Sequence, residues 1–171
     1  MSDTTRGAEA APAFELRNVG PGPDPFTPMA AAETEASLVV LFQRDYYCGN
    51  CRDQVADVAD RIEEFRELDA LPVSVLPESV DRTREWQAKV ELPYPVLADP
   101  GGAVGDEYDQ PSRFGVLGNV FDLVGRMPLA VVVRLDETGP TVTTTYPGST
   151  PSDRPDIDEL VADCRACLDE D

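Results

Sequence analysis

Runs of apolar residues and helically spaced apolar positions take turns along this chain, and the changes between them mark out its elements. Residues 1–13, MSDTTRGAEAAPA, are small and polar with no apolar period, and are expected to be disordered ahead of an ordered domain over 14–171. NVGPGPDPFTP, residues 18–28, has the Gly and Pro density of a surface loop. SLVVLFQ, residues 37–43, is a continuous apolar run of strand length, the pattern of a strand covered on both faces. From Cys51 the period changes. Val55, Val58, Ala59, Ile62, Phe65 and Leu68 fall on one side of a helix, so Cys48 and Cys51 stand at its N-terminus.

LPVSVLP, residues 71–77, predicts a second strand, and SVDRTREWQAKVEL, residues 79–92, a second helix with Val80, Trp86 and Val90 facing the core. YPVLADPGGAVGDEYD adds a short strand and a helical turn, followed by a loop around QPSRFGVLGN. PLAVVVRL, the turn DETG and TVTTTYPG predict a hairpin, and RPDIDELVADCRACL a last helix with Pro155 near its start. Strand, helix and strand in that order imply a right-handed crossover between parallel strands, and the hairpin makes the sheet mixed. The expected fold class is α/β, a three-layer α/β/α arrangement around a central mixed sheet. The cysteine pair would lie at the carboxyl end of the first core strand, where such sheets place their ligands.

Charge narrows the choice of partners. Asp and Glu number 33 against 14 Lys and Arg, a formal net charge of −19, and Lys89 is the one lysine. Such a surface repels nucleic-acid phosphates and anionic membranes, so neither is expected as a partner. Acids spread along the whole chain suggest a salt-loving microbe, in particular a halophilic archaeon. On that reading the thermal midpoint rises with salt, as the screening length falls from about 10 Å at 0.1 M to about 3 Å at 1 M. No apolar run reaches the roughly 18 residues of a membrane span, and the N-terminus has no signal-like apolar region, so a cytoplasmic location is expected.

The stretch FQRDYYCGNCRDQ carries the candidate chemistry. Three readings of its Cys-x-x-Cys compete. Zinc would need Cys164 and Cys167 as the other half of a tetrahedral site, but the two pairs lie far beyond the ribbon spacing of about 15–20 residues. There is no histidine to help. A structural disulfide over two intervening residues removes little unfolded-chain entropy, and a reducing compartment opposes it. A redox dithiol fits best: the unpaired N–H groups and dipole at a helix N-terminus favour thiolate, the reacting form. No cofactor or metal is therefore expected.

FQRDYYCGNCRDQ resembles the active-site segment of the thioredoxin-like superfamily, and in particular of its peroxiredoxin-like AhpC/TSA members. The resemblance runs from APAFELRNVGPGPDPFTP to the helix ending near Leu168, and takes in the strand, helix and LPYPVLADP stretch between. It implies roles for two residues of GRMPLAVVVRL. Pro128 stands where thioredoxin-like proteins place a cis-proline facing the cysteines, so the Met127–Pro128 bond is expected to be cis and close to the pair. Arg126 stands where peroxiredoxins hold an arginine near the reacting cysteine. One part of the family pattern, Pro-x-x-x-Thr/Ser-x-x-Cys, is altered: with Cys51 as its cysteine, Cys48 takes the Thr position and Arg44 the Pro position.

The resemblance implies a thiol-based oxidoreductase that reduces a peroxide or a protein disulfide through Cys48 and Cys51, re-reduced by a thioredoxin-like or other thiol electron donor. Cys48 would lead on disulfides and Cys51 on peroxides; both routes end in a Cys48–Cys51 disulfide. Tyr46 and Tyr47 occupy the place of the aromatic residue that shields such sites, and Asp45 could tune the thiols. Cys164 is expected to pack inward as a small hydrophobe, with Cys167 incidental. The alternative is a non-catalytic thioredoxin-like module that binds an extended peptide with its cysteines idle. Oligomeric state is not legible.

Overall fold

The computed structural model describes residues 4–112 and 126–169. The loop expected around QPSRFGVLGN lies largely outside them. One sheet of seven strands runs in the order β1-β7-β6-β3-β4-β5-β2. Its strands are β1 (Thr5–Ala10), β2 (Arg17–Asn18), β3 (Ser37–Phe42), β4 (Ala70–Leu76), β5 (Val96–Ala98), β6 (Leu129–Asp136) and β7 (Gly139–Pro147). The helices are α1 (Pro28–Ala31), α2 (Gly49–Asp60), α3 (Ile62–Arg66), α4 (Val80–Val90), α5 (Ala103–Glu107) and α6 (Ile157–Asp169).

β3, β4 and β5 are parallel, while β6 runs antiparallel to β3 and β7 to β6, so the sheet is mixed, as the pattern predicts. All six residues of β3 are buried. Their alternation divides the core: Val39 and Leu41 point to one face, Leu38, Val40 and Phe42 to the other. Full burial of such side chains contributes about 1.5–3 kcal/mol each. Because β3→α2→β4 and β4→α4→β5 step across the sheet in one direction with the same hand, α2, α3 and α4 cover one face. Trp86, Phe65, Val55 and Val58 meet Leu160 and Val161 of α6 there. The other face is covered by the thinner layer of α1, α5 and the chain around Phe14 and Phe26, completing the three-layer α/β/α fold.

Two expectations need correction. Residues 1–13 are not wholly irregular, because Thr5–Ala10 adds an antiparallel edge strand to β7. All six of its side chains are exposed, so no apolar period announces it; main-chain pairing and one charged contact hold it. Arg6 donates to Asp163 on α6 at 2.6 Å, and Asp163 also accepts from the Tyr146 hydroxyl. Nor is NVGPGPDPFTP merely draped over the surface. Buried Asn18 donates to the Pro21 and Pro23 carbonyls, both at 3.0 Å, and its oxygen accepts from Gly20 (2.9 Å) and Val96 (3.0 Å), fastening the loop to β5.

Candidate active site

β3 delivers the chain to the site. Beyond Phe42, buried Gln43 still pairs with β4, its N–H donating to the Val75 carbonyl at 2.9 Å. The chain then turns. Asp45 accepts from the Tyr47 N–H at 2.7 Å, and the Tyr46 N–H donates to Glu78 at 3.2 Å. Asp45 thus shapes the turn, and no hydrogen bond joins it to either sulfur. Tyr46 is buried beneath Arg82 and Lys89, whose charges lie 4.1 and 4.9 Å from its ring centroid. Tyr47 is 73% exposed, directly before the first cysteine.

Cys48 is the N-cap of α2, and its Sγ accepts the Cys51 N–H at 3.1 Å, where a serine or aspartate oxygen usually serves. Cys51 lies within the first turn. The two are joined as a disulfide with Cα atoms 5.2 Å apart. Exposure is 4% at Cys48 and 0% at Cys51, so both sulfurs are buried and differ little in accessibility. The Arg44 N–H points at Cys51 Sγ from 3.4 Å.

The guanidinium that reaches the sulfurs belongs to Arg154, a residue the sequence reading did not single out. Its Nη2 lies 3.1 Å from Cys51 Sγ and 3.5 Å from Cys48 Sγ. Its Nη1 donates to Gln54 of α2 at 2.7 Å, and its Nε to the Pro151 carbonyl at 3.0 Å. Burial, reinforced by the charge of Arg44 and opposed by Asp53, pushes its pKa down to about 10, so it is still protonated at neutral pH. The residue sits in GSTPSDR, residues 148–154, a turn closed by Asp153, which accepts from the Ser149 N–H (2.9 Å) and hydroxyl (2.8 Å). A lone arginine in a Pro- and Ser-rich loop, far along the chain from the cysteines, gives no motif by which to find it.

Arg126 is buried nearby but aims elsewhere. Its guanidinium donates to Asp106 at 3.1 Å, Gln110 at 3.2 Å and the Gly101 carbonyl at 3.2 Å, and lies against Gly102, where a side chain would collide with it. What Arg126 offers the site is its main-chain oxygen, which accepts from Arg44 Nε at 2.8 Å.

The Met127–Pro128 bond is trans, contrary to expectation; among the described residues the cis bond is Asp24–Pro25. Extended backbone suits this position. Met127 N–H donates to the Pro111 carbonyl at 2.8 Å, and Pro128 accepts from the Gly148 N–H at 2.8 Å, the second bond continuing the β6–β7 ladder. β6 does run beside β3, with Leu129 opposite Phe42, and buried Pro128 packs against Gly148 at the root of the Arg154 turn.

Cys164 and Cys167 are both buried on α6; burial pushes Cys164 up to about 12. Cys164 therefore packs inward as expected, and Cys167, read as incidental, is buried as well. Among the described residues no group of three or more His, Cys, Asp and Glu is arranged to hold a metal, and no helix is long and apolar enough to cross a membrane.

No curated protein sequence matches the chain. Solved structures do, at low identity. The peroxidoxin BcpB from Mycobacterium tuberculosis is 18% identical with a TM-score of 0.71, over 96% of this chain and 97% of that one. Peroxiredoxin Q from Xanthomonas campestris is 18% identical with a TM-score of 0.70, over 91% of each chain. A putative thiol:disulfide interchange protein DsbE from Chlorobium tepidum is 17% identical with a TM-score of 0.66, over 94% of this chain and 96% of that one. These likenesses establish a shared thioredoxin-like fold. The AhpC/TSA family profile matches residues 8–118, well over half of the sequence and including both cysteines of the site. The chain belongs to the AhpC/TSA family and is a thiol-dependent oxidoreductase whose Cys48–Cys51 pair lies at disulfide distance.

Proposed function

We propose that the protein reduces peroxides through Cys51, with Cys48 as the resolving cysteine. The observation that carries this reading is the pair of donors at Cys51 Sγ, the Arg44 N–H and Arg154 Nη2, the second lying nearer Cys51 (3.1 Å) than Cys48 (3.5 Å), while Cys48 Sγ, which takes the Cys51 N–H, stands within bonding reach. Fixed donors aimed at a sulfur favour its thiolate, and they also stabilise charge on an oxygen departing beside it. The Cys51 thiolate attacks the distal oxygen of the hydroperoxide, the O–O bond breaks, and alkoxide leaves to take a proton from water. The resulting Cys51 sulfenic acid condenses with the Cys48 thiol, losing one water and forming the disulfide. Two electrons from a thioredoxin-like or other dithiol donor restore the pair.

Arg126 and Pro128 serve this site from behind. The main-chain oxygen of Arg126 fixes Arg44, and Pro128 supports the turn that carries Arg154. The bacterioferritin comigratory protein of Xanthomonas campestris, 17% identical, is described as having alkyl peroxide reduction activity, which fits the same substrate class. The acidic composition and the need for a thiol donor suit a protein of the reducing cytoplasm that binds neither nucleic acid nor membrane.

The test is Cys48→Ser treated with hydrogen peroxide and dimedone. A dimedone adduct at Cys51 with peroxide consumption is expected. If no sulfenate forms, and Cys51→Ser instead traps a mixed disulfide through Cys48, the protein is a disulfide exchanger and Cys48 leads.

A further inference from the structure

In a chain with more than twice as many acids as bases, Arg17, Arg61, Arg66, Arg84 and Arg134 each hold at least one carboxylate. Arg154 does not, although it is half-buried and Asp53, Asp57 and Asp156 line the same shallow cleft of about 230 Å³. Among the described residues no carboxylate makes an ion pair with it; its partners are the Gln54 amide, the Pro151 carbonyl and the two sulfurs. A disulfide carries no charge. The oxidised protein therefore holds a partly desolvated cation with no carboxylate in ion-pair contact, offset at longer range by the charge of Asp53, at a cost that depends on what replaces the disulfide.

We propose that Arg154 is the counter-charge of the reduced site: it binds the thiolate released when the Cys48–Cys51 bond opens, and so sets the redox poise of the couple. This deepens the reading given under Proposed function and rests on it. With a dithiol reductant such as dithiothreitol, two electrons pass to the disulfide and its S–S bond breaks. One sulfur takes a proton from the reductant and the other stays as thiolate against Arg154. The reductant closes to its cyclic disulfide, and its second proton goes to solvent. The cation meets an anion only in the reduced state, so it stabilises that state selectively and makes the disulfide the stronger oxidant.

The same geometry distributes the work between two arginines. Arg126 is fixed by Asp106, Gln110 and Gly101 and has its charge met by a carboxylate, so its guanidinium has no such redox dependence. Arg154 touches both reacting sulfurs and is a catalytic residue; Gln54, which holds Nη1 at 2.7 Å, is a positioning residue.

The experiment is a redox titration of the full chain in dithiothreitol buffers, read by mass after alkylation, for wild type, Arg154→Gln, Arg154→Lys and Gln54→Met. The equilibrium constant for reduction is expected to fall at least tenfold in Arg154→Gln, which is about 30 mV more negative for a two-electron couple. The pH midpoint of iodoacetamide alkylation of the reduced pair should rise by at least one pH unit in parallel. Arg154→Lys should recover most of both changes, and Gln54→Met should show a severalfold shift in the same direction. A purely structural role would lower the thermal midpoint without moving the potential or the alkylation midpoint. Arg154→Gln with the potential and alkylation midpoint of wild type overturns the proposal. If that variant does not fold, wild-type values in both Gln54→Met and Arg154→Lys overturn it. A wild type that shows no reversible Cys48–Cys51 couple overturns the dithiol reading itself, and the proposal with it.

Discussion

Gly148→Ala tests whether the Arg154 turn is clamped to the sheet. Gly148 is the residue at which β7 gives way to that turn. A Cβ built there lies 2.5 Å from Pro128 Cγ and 2.8 Å from the Asp153 main-chain oxygen. Carbon contacts are comfortable at about 3.5–4.0 Å, so roughly 1 Å of movement is needed. Neither neighbour can rotate aside, because one is a proline ring fixed to β6 and the other is backbone. The turn itself must move. Overpacking of this kind costs about 1–3 kcal/mol. At about 2–4 °C per kcal/mol for a chain of this size, the thermal midpoint should fall by about 2–12 °C. A displacement of roughly 1 Å at Asp153 would also stretch the 3.1 Å contact between Arg154 and Cys51 beyond hydrogen-bond reach. Thermal unfolding followed by circular dichroism gives the first quantity, and the alkylation rate of the reduced pair at pH 7 gives the second. Both should fall together. A variant with the wild-type midpoint and alkylation rate would refute the claim that Pro128 and Gly148 hold Arg154 in place.

Arg6→Ala should free β1 without unfolding the domain: amides of β1 and of its β7 partners should lose hydrogen-exchange protection. Because the Arg6 side chain is 59% exposed, the thermal midpoint should move by no more than about 4 °C. Cys164 and Cys167 should resist alkylation at pH 8 until the protein is unfolded. The Cys164 thiol is raised from 9.0 to about 12 in the fold, so the unfolded chain releases that proton first, and stability falls as pH rises through this range. Denaturant midpoints measured from pH 8 to 11 should accordingly decline less in Cys164→Ala than in wild type.

The central part of the fold was legible because burial there leaves a signature in the sequence. SLVVLF can be apolar at every position only if both faces of β3 are covered, and the spacing from Val55 to Phe65 fits a helix lying on the sheet. Pairing carried by backbone was not legible. β1 buries none of its side chains, and β2 is two residues long, held by its main-chain pairing with β5 and the side-chain hydrogen bonds of Asn18. The cysteine pair could be placed at a helix N-terminus because the change from a continuous apolar run to helical spacing falls there. Side-chain direction could not. Arg126 and Arg154 are both buried or half-buried arginines in irregular segments near β6 and β7, and the positions of Asp106, Gln110 and the Gly101 carbonyl turn the first away from the sulfurs. Likewise, a proline ahead of β6 has the same sequence whether its peptide bond is cis or trans, and here the ladder with Gly148 goes with the trans form.

The redox activity of the Cys48–Cys51 pair is tested most directly by counting thiols. The reduced protein is treated with one equivalent of hydrogen peroxide, alkylated after denaturation, and mapped by mass spectrometry. Of the four cysteines, Cys48 and Cys51 should vanish from the labelled set together, with the loss of two hydrogens and a peptide bridged between them. Cys164 and Cys167 should remain fully labelled. Four labelled thiols after peroxide, or a bridge that includes Cys164 or Cys167, would contradict the account.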